Sequence, residues 1–172
     1  MSRPRKILVA GIGNIFMGDD AFGSEVARRL MDETLPAEVR VTDFGIRSYD
    51  LVYALMDGYD VTILVDVTSQ MQSPGTVYLI EPDLGQLDQF DQMIADAHSM
   101  NPVSVLQMLR TFGCSPGKLY LIGCEPAILD VEDGQIGLSE MVEASIPQAI
   151  ELIKSLVNDL LSENPKIEVE TA

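Results

Sequence analysis

Three side chains in separate segments carry the chemistry of a divalent transition-metal site: Asp20, Asp66 and His98. Two carboxylates and an imidazole suit nickel, zinc or cobalt better than calcium, because calcium takes oxygen ligands almost exclusively. Three protein ligands also leave open positions for water or substrate. Each residue has a plainer reading beside this one. Asp20 would favour the positive end of a following helix. Asp66 would cap the turn after its strand. His98 is the only histidine in the chain, and a lone histidine is often structural or a surface residue. Spacing alone does not bring the three together, so the elements that carry them decide.

The first of these elements is a short apolar run, Ile7 to Ala10, entering the Gly-rich turn Gly11-Ile12-Gly13-Asn14 and then Gly18-Asp19-Asp20 with Gly23. The layout is that of a nucleotide-binding βαβ unit, but the chemistry is not. Phe16 occupies the third glycine position of a dinucleotide fingerprint, and two carboxylates stand where a pyrophosphate needs bare N–H groups. Such a loop suits a cation or water activation. Asn14 suits the tight loop itself. Asp19 is a second candidate base beside Asp20.

Further along, the periodicity predicts a helix from Asp19 to Leu35 stopped by Pro36, a strand over Val39–Phe44 and a short helix around Asp50–Met56 ended by Gly58. Val61 to Val65 is continuous and largely β-branched, as a central parallel strand should be, and it ends in Asp66. Ser73-Pro74-Gly75 is a turn and Val77–Ile80 a strand. The acidic segment from Pro82 to Ala97 reads as an irregular excursion ending at His98. A helix over Pro102–Phe112, a strand over Lys118–Ile122 closed by Gly123-Cys124-Glu125-Pro126, and a helical region over 139–161 complete the series. Pro147 is expected to kink or restart that last helix. Glu125 reads as a solvated turn residue, with a role behind the site as the alternative. Ser69 and Ser99 lack the setting of a serine nucleophile. Strands alternating with helices predict an α/β domain with a mainly parallel sheet of about five strands and helices on both faces. Ligands then bind beyond the carboxyl ends of the strands, at the switch point, where Asp20, Asp66 and His98 are expected.

The bulk numbers bound the partners. The chain has 172 residues, 47% of them hydrophobic and 22% charged, which fits one domain, 1–172, with a frayed tail over 163–172. Its 27 acidic against 11 basic residues give a net charge of -16, which argues against nucleic acid and anionic membranes as partners. The acidity reads either as solubility or as attraction for a cation or a basic peptide. Cys114 and Cys124 form no C-x-x-C pair and read as small buried hydrophobes in a reducing compartment. No signal-peptide or membrane-spanning pattern is present, so a cytoplasmic monomer is expected.

These residues resemble the hydrogenase maturation proteases. The resemblance rests on Gly11-x-Gly13-Asn14 with Gly18-Asp19-Asp20 and Gly23, on Tyr59-Asp60 leading into Val61–Asp66, on His98 ahead of its helix, on Gly123-Cys124-Glu125-Pro126 and on Leu138-Ser139. It covers nearly the whole chain. It implies a doubly wound α/β fold of the phosphorylase/hydrolase-like kind and an endopeptidase, aspartyl-type or metal-dependent, that removes a short C-terminal extension from the large-subunit precursor of a [NiFe] hydrogenase. Cleavage then follows nickel insertion, and nickel supplied by the substrate is the recognition element. Zinc or cadmium is expected to substitute in vitro. Carried over, Asp20, Asp66 and His98 are the metal-contacting and catalytic residues. Asp20 stands where some members have Glu, and Gly45-Ile46-Arg47 departs from the family's usual loop. Two rival classes are a non-catalytic nickel-binding or metallochaperone module with the same ligands, and a nucleotide-binding α/β protein. Asp66, at the most buried strand end, is expected to make Asp66→Asn costly to stability.

Overall fold

The computed structural model describes residues 3–86, 100–129, 132–162 and 170–171. His98, most of the expected excursion, and nearly all of the expected frayed tail lie outside the described residues.

Two apolar runs set the centre of the molecule. β1 (Ile7–Ile12) and β3 (Val61–Val67) are buried at every position, because both faces of each are covered. β2 (Val39–Gly45) and β5 (Lys118–Cys124) flank them in parallel register, with Ile7 opposite Val39 and Val61 opposite Lys118. β4 (Val77–Glu81) runs antiparallel to β5, and Glu170–Thr171 form a two-residue sixth strand, β6, against β4. These two residues belong to the expected tail, and the outer edge of β4 offers unpaired backbone groups for them to take. The strand order is β2-β1-β3-β5-β4-β6. The chain leaves β1 for β2 on one side and returns to β3 on the other, so the switch point falls between the carboxyl ends of β1 and β3.

Alternation along the strands divides the core. Val9, Ile63, Val65 and Ile122 face α1 (Phe22–Met31) and the long C-terminal helix, through Phe22, Val26, Ile146 and Ile153. Leu8, Leu64 and Leu121 face α2 (Ser48–Met56) and α3 (Pro102–Thr111), through Leu51, Leu55, Leu106 and Leu109. Helices therefore cover both faces, as expected. Asn101 caps α3 by accepting from the Val103 N–H at 2.8 Å, with Pro102 at the first helical position.

Two elements differ from expectation. The helix expected from Asp19 is a 3-10 turn over Gly18–Ala21 followed by α1, which ends at Met31, so its start is later and its end earlier. The C-terminal helix, α4 (Glu140–Leu161), is one uninterrupted run of 22 residues with Pro147 inside it. Buried Val142 and Ile146 before the proline, and Ala149, Ile150 and Ile153 after it, hold both halves on the same sheet face, which offsets the lost backbone bond.

Candidate functional site

The glycines of the opening motif fix where its carboxylates sit. A Cβ on Gly23 would lie 2.0 Å from the Val65 carbonyl oxygen and 2.2 Å from that of Ile12, so α1 meets β1 and β3 backbone to backbone. A Cβ on Gly11 would strike the Gly23 oxygen at 2.4 Å. Gly13 has a φ of 149°, and a Cβ there would lie 1.8 Å from the Asp20 oxygen. The motif is thus a close-packing device, and no phosphate is needed to explain it.

Beyond Gly13 the loop is tied on two sides. The Gly13 N–H donates to the Gly45 carbonyl at 3.0 Å, the Gly18 N–H to Gln135 at 2.8 Å, and the Gln135 N–H to Phe16 at 2.8 Å. Asn14 closes the turn, its side-chain oxygen accepting from the Phe16 N–H at 3.0 Å. Its role within the described residues is conformational, with one addition: its own N–H donates to Asp20 Oδ2 at 2.9 Å.

Asp20 and Asp66 come to the switch point together. Asp20 follows β1 in the 3-10 turn and is 3% exposed; Asp66 is in β3, one residue past the Gly11–Val65 register pair, and is fully buried. Burial first, and the negative charge of Asp20 second, hold the Asp66 carboxyl well above the usual carboxylate range, while the Val67 N–H, 2.8 Å from Oδ1, pulls the other way. Asp66 Oδ2 is buried and accepts no hydrogen bond among the described residues. A buried carboxylate pair with an oxygen left over is a donor set for a hard or borderline cation. Among the described residues no group of three such ligands occurs, and His98 lies outside them.

Asp19 does different work. Its Oδ2 accepts from the Ala127 N–H at 2.8 Å, the Ile128 N–H at 2.7 Å and the Ser139 hydroxyl at 2.9 Å, and its Oδ1 from the Ser139 N–H at 2.6 Å. A fully buried carboxylate so engaged is a clasp joining the turn after β1, the loop after β5 and the start of α4. Its partners lie 108 to 120 residues away in sequence, and no local signal points to them.

Glu125 is corrected as well. It is not a solvated turn residue: it is 5% exposed, and its Oε2 accepts from the Gln70 N–H at 2.7 Å and the Tyr78 hydroxyl at 3.0 Å. It pins the chain that follows Asp66. Burial, followed by this bond, pushes the Tyr78 phenol up to about 12. Cys124 is buried as expected and Cys114 half-buried, and both are free.

A cleft of about 330 Å³ opens between the Gly13–Phe16 loop and the Phe44–Arg47 loop, with Asn14, whose N–H holds Asp20, in its wall. Arg28 and Arg47 line it, each already paired: Arg28 with Asp43 at 3.1 Å and Glu25 at 3.3 Å, Arg47 with Asp50 at 3.3 Å.

This fold recurs in known proteins. The hydrogenase maturation protease family matches residues 24–156. The Hydrogenase 2 maturation protease of Escherichia coli K12 is 28% identical over 155 residues, covering 90% of this chain and 92% of that one. The hydrogenase expression/formation protein HupD of Rhizobium leguminosarum is 32% identical over 148 residues, covering 85% and 71%. Among solved structures, the hydrogenase maturating endopeptidase HybD of E. coli superposes with a TM-score of 0.76 at 30% identity, over 90% of this chain and 93% of that one. The class is therefore that of the α/β maturation endopeptidases. The chain belongs to the hydrogenase maturation protease family.

Proposed function

We propose that this chain removes the C-terminal extension of a [NiFe] hydrogenase large-subunit precursor after nickel has been inserted, and that substrate-borne nickel is what it recognises. The observation that carries the reading is the buried pair at the switch point: Asp20 and Asp66 raise the cost of each other's charge, and Asp66 Oδ2 has no donor among the described residues. A cation brought in by the substrate relieves that repulsion, so the site favours a loaded precursor over an empty one. His98 is the third proposed ligand, on the family resemblance. Docking through these three residues sets the scissile peptide beside a carboxylate. Either the cation polarises its carbonyl or a carboxylate takes a proton from the attacking water. No helix among the described residues is long and apolar enough to cross a membrane, and the proposed setting is a cytoplasmic monomer.

The test is processing of purified precursor, with and without nickel, read as a mobility shift on a gel. Wild type should cleave only the loaded form. Asp20→Asn and His98→Ala should abolish or greatly slow cleavage while leaving the melting temperature near that of wild type, and Asp20→Glu should retain activity. Equal cleavage of nickel-free precursor would sink the recognition mechanism. Tight binding of loaded precursor without cleavage would move the chain to the metallochaperone class.

A further inference from the structure

One long face of α2 is uncovered. Leu51, Val52 and Leu55 enter the core, whereas Tyr49 is 65%, Tyr53 66% and Met56 43% exposed. These three stand at i, i+4 and i+7, so they form one stripe along the outer side of the helix. Surface helices ordinarily turn polar residues outward; here the outward spacing is as regular as the inward one. Ile46, just before the helix, is half exposed and lines the cleft together with exposed Phe16. The same cleft is walled by Asn14, whose N–H holds Asp20. Exposed apolar side chains thus run from this cleft, at Phe16 and Ile46, to the outer side of α2.

We propose that this stripe seats the folded body of the precursor, through a precursor surface with an apolar centre and a basic rim. The proposal rests on the endopeptidase reading above. Two features of the molecule select this occupant. The first is continuity: Asn14, whose N–H holds Asp20, and Ile46 and Arg47, which lead directly into α2, line one cleft, so a precursor tail laid in that cleft has its body beside α2. The second is charge. The chain carries a net -16, and exposed Asp50 and Asp57 stand on the same helix and at its end, Asp50 also pairing with Arg47. A second copy of the chain would set like charge against like, while a basic rim is attracted. Two tyrosines supply what such a seat needs: broad rigid rings with a hydroxyl that stays wet or finds a partner. The carboxylates then recognise the metal, and α2 recognises which protein carries it.

The test compares Tyr49→Ala/Tyr53→Ala with Tyr49→Phe/Tyr53→Phe. Both changes lie on an exposed face, and thermal melts check that the fold persists. The probe is the nickel-loaded, full-length large-subunit precursor of the source organism, followed by steady-state cleavage and by calorimetric binding at low and high NaCl. The double alanine variant should raise KM and weaken binding about tenfold or more with kcat within about twofold of wild type, as truncated interface anchors do. The double phenylalanine variant should stay within about threefold, and wild-type binding should weaken with salt. Unchanged KM and binding in the double alanine variant would overturn the proposal. So would a wild-type dimer, seen by sedimentation, that the alanine variant dissociates, because the stripe would then belong to a second copy. If wild type binds precursor through the stripe but never cleaves it, the endopeptidase reading fails and the docking surface stands.

Discussion

Exchanging Asp19 for Asn changes only one atom and the charge, yet it should unfold much of what the adjacent Asp20→Asn leaves alone. The Asp19 carboxylate accepts four hydrogen bonds, three of them on Oδ2. An amide has one acceptor oxygen, and its NH₂ would face N–H donors from Ala127 and Ile128 or from Ser139. Bonds to a charged group contribute about 1.5–3 kcal/mol each, and they are not additive. Ala127 is exposed and Ser139 half-buried, so water recovers part of the loss. Breaking the cluster should therefore cost about 3–5 kcal/mol, the range for disrupting a buried charged network. For a domain of this size that is a fall in Tm of about 6–20 °C. Thermal melts followed by circular dichroism read the fall. Hydrogen exchange at the amides of Ala127, Ile128 and Ser139 reads its location, and all three should lose protection. A Tm within about 2 °C of wild type, with those amides still protected, would refute the clasp. A stable but inactive Asp19→Asn would return Asp19 to the list of bases.

Other outcomes follow from the same geometry. The raised Asp66 carboxyl keeps a proton in the folded state that the unfolded chain releases from about pH 4 upward, so stability falls as pH rises through that window, by at most about 1.4 kcal/mol per pH unit. Asp66→Asn should remove that slope and raise Tm near neutrality, which reverses the expectation drawn from burial alone; a lower Tm at pH 7 with the slope retained would refute it. Burial pushes the Cys124 thiol up to about 11, so at pH 8 iodoacetamide should label Cys114 and spare Cys124, as read by mass spectrometry of the native protein. Gly23→Ala should leave little soluble protein, since its methyl would lie 2.0 Å from the Val65 oxygen; a well-folded alanine variant would show that α1 can lift off the sheet.

What the sequence disclosed and what it hid divide along physical lines. Val61–Val65 and Ile7–Ala10 were legible because strands buried on both faces need no alternation, and continuous β-branched or aliphatic runs are rare elsewhere. The placement of Asp20 and Asp66 at the switch point followed from strand order, which alternation of strands and helices largely dictates. Asp19 was not legible, because a carboxylate in a 3-10 turn and one at a helix start look alike in sequence. Glu125 was misread for a related reason. A charged residue after a strand usually faces water, and only the return of the chain over Gln70 and Tyr78 buries this one. A restart of α4 at Pro147, one of the two outcomes the local rule allows, does not occur, because apolar contacts on both sides of the proline hold the helix together.

The contact at Gly23 has a mechanical consequence. At Gly23 no side chain separates the first turn of α1 from the strands beneath it, so there the helix rests on backbone, with Phe22 packed beside the contact. Farther along, Val26 and Leu30 rest on ordinary side chains that can shrink, swell or slide. The helix is therefore a lever whose fulcrum is beside Asp20 and whose free end is in the compressible part of the core. Substitutions around Leu30 will swing the distal end through ångströms while the fulcrum, and the carboxylate seated on it, stays in place. Changes to the core on that side can accumulate without moving the site, until one of them lands on the fulcrum itself.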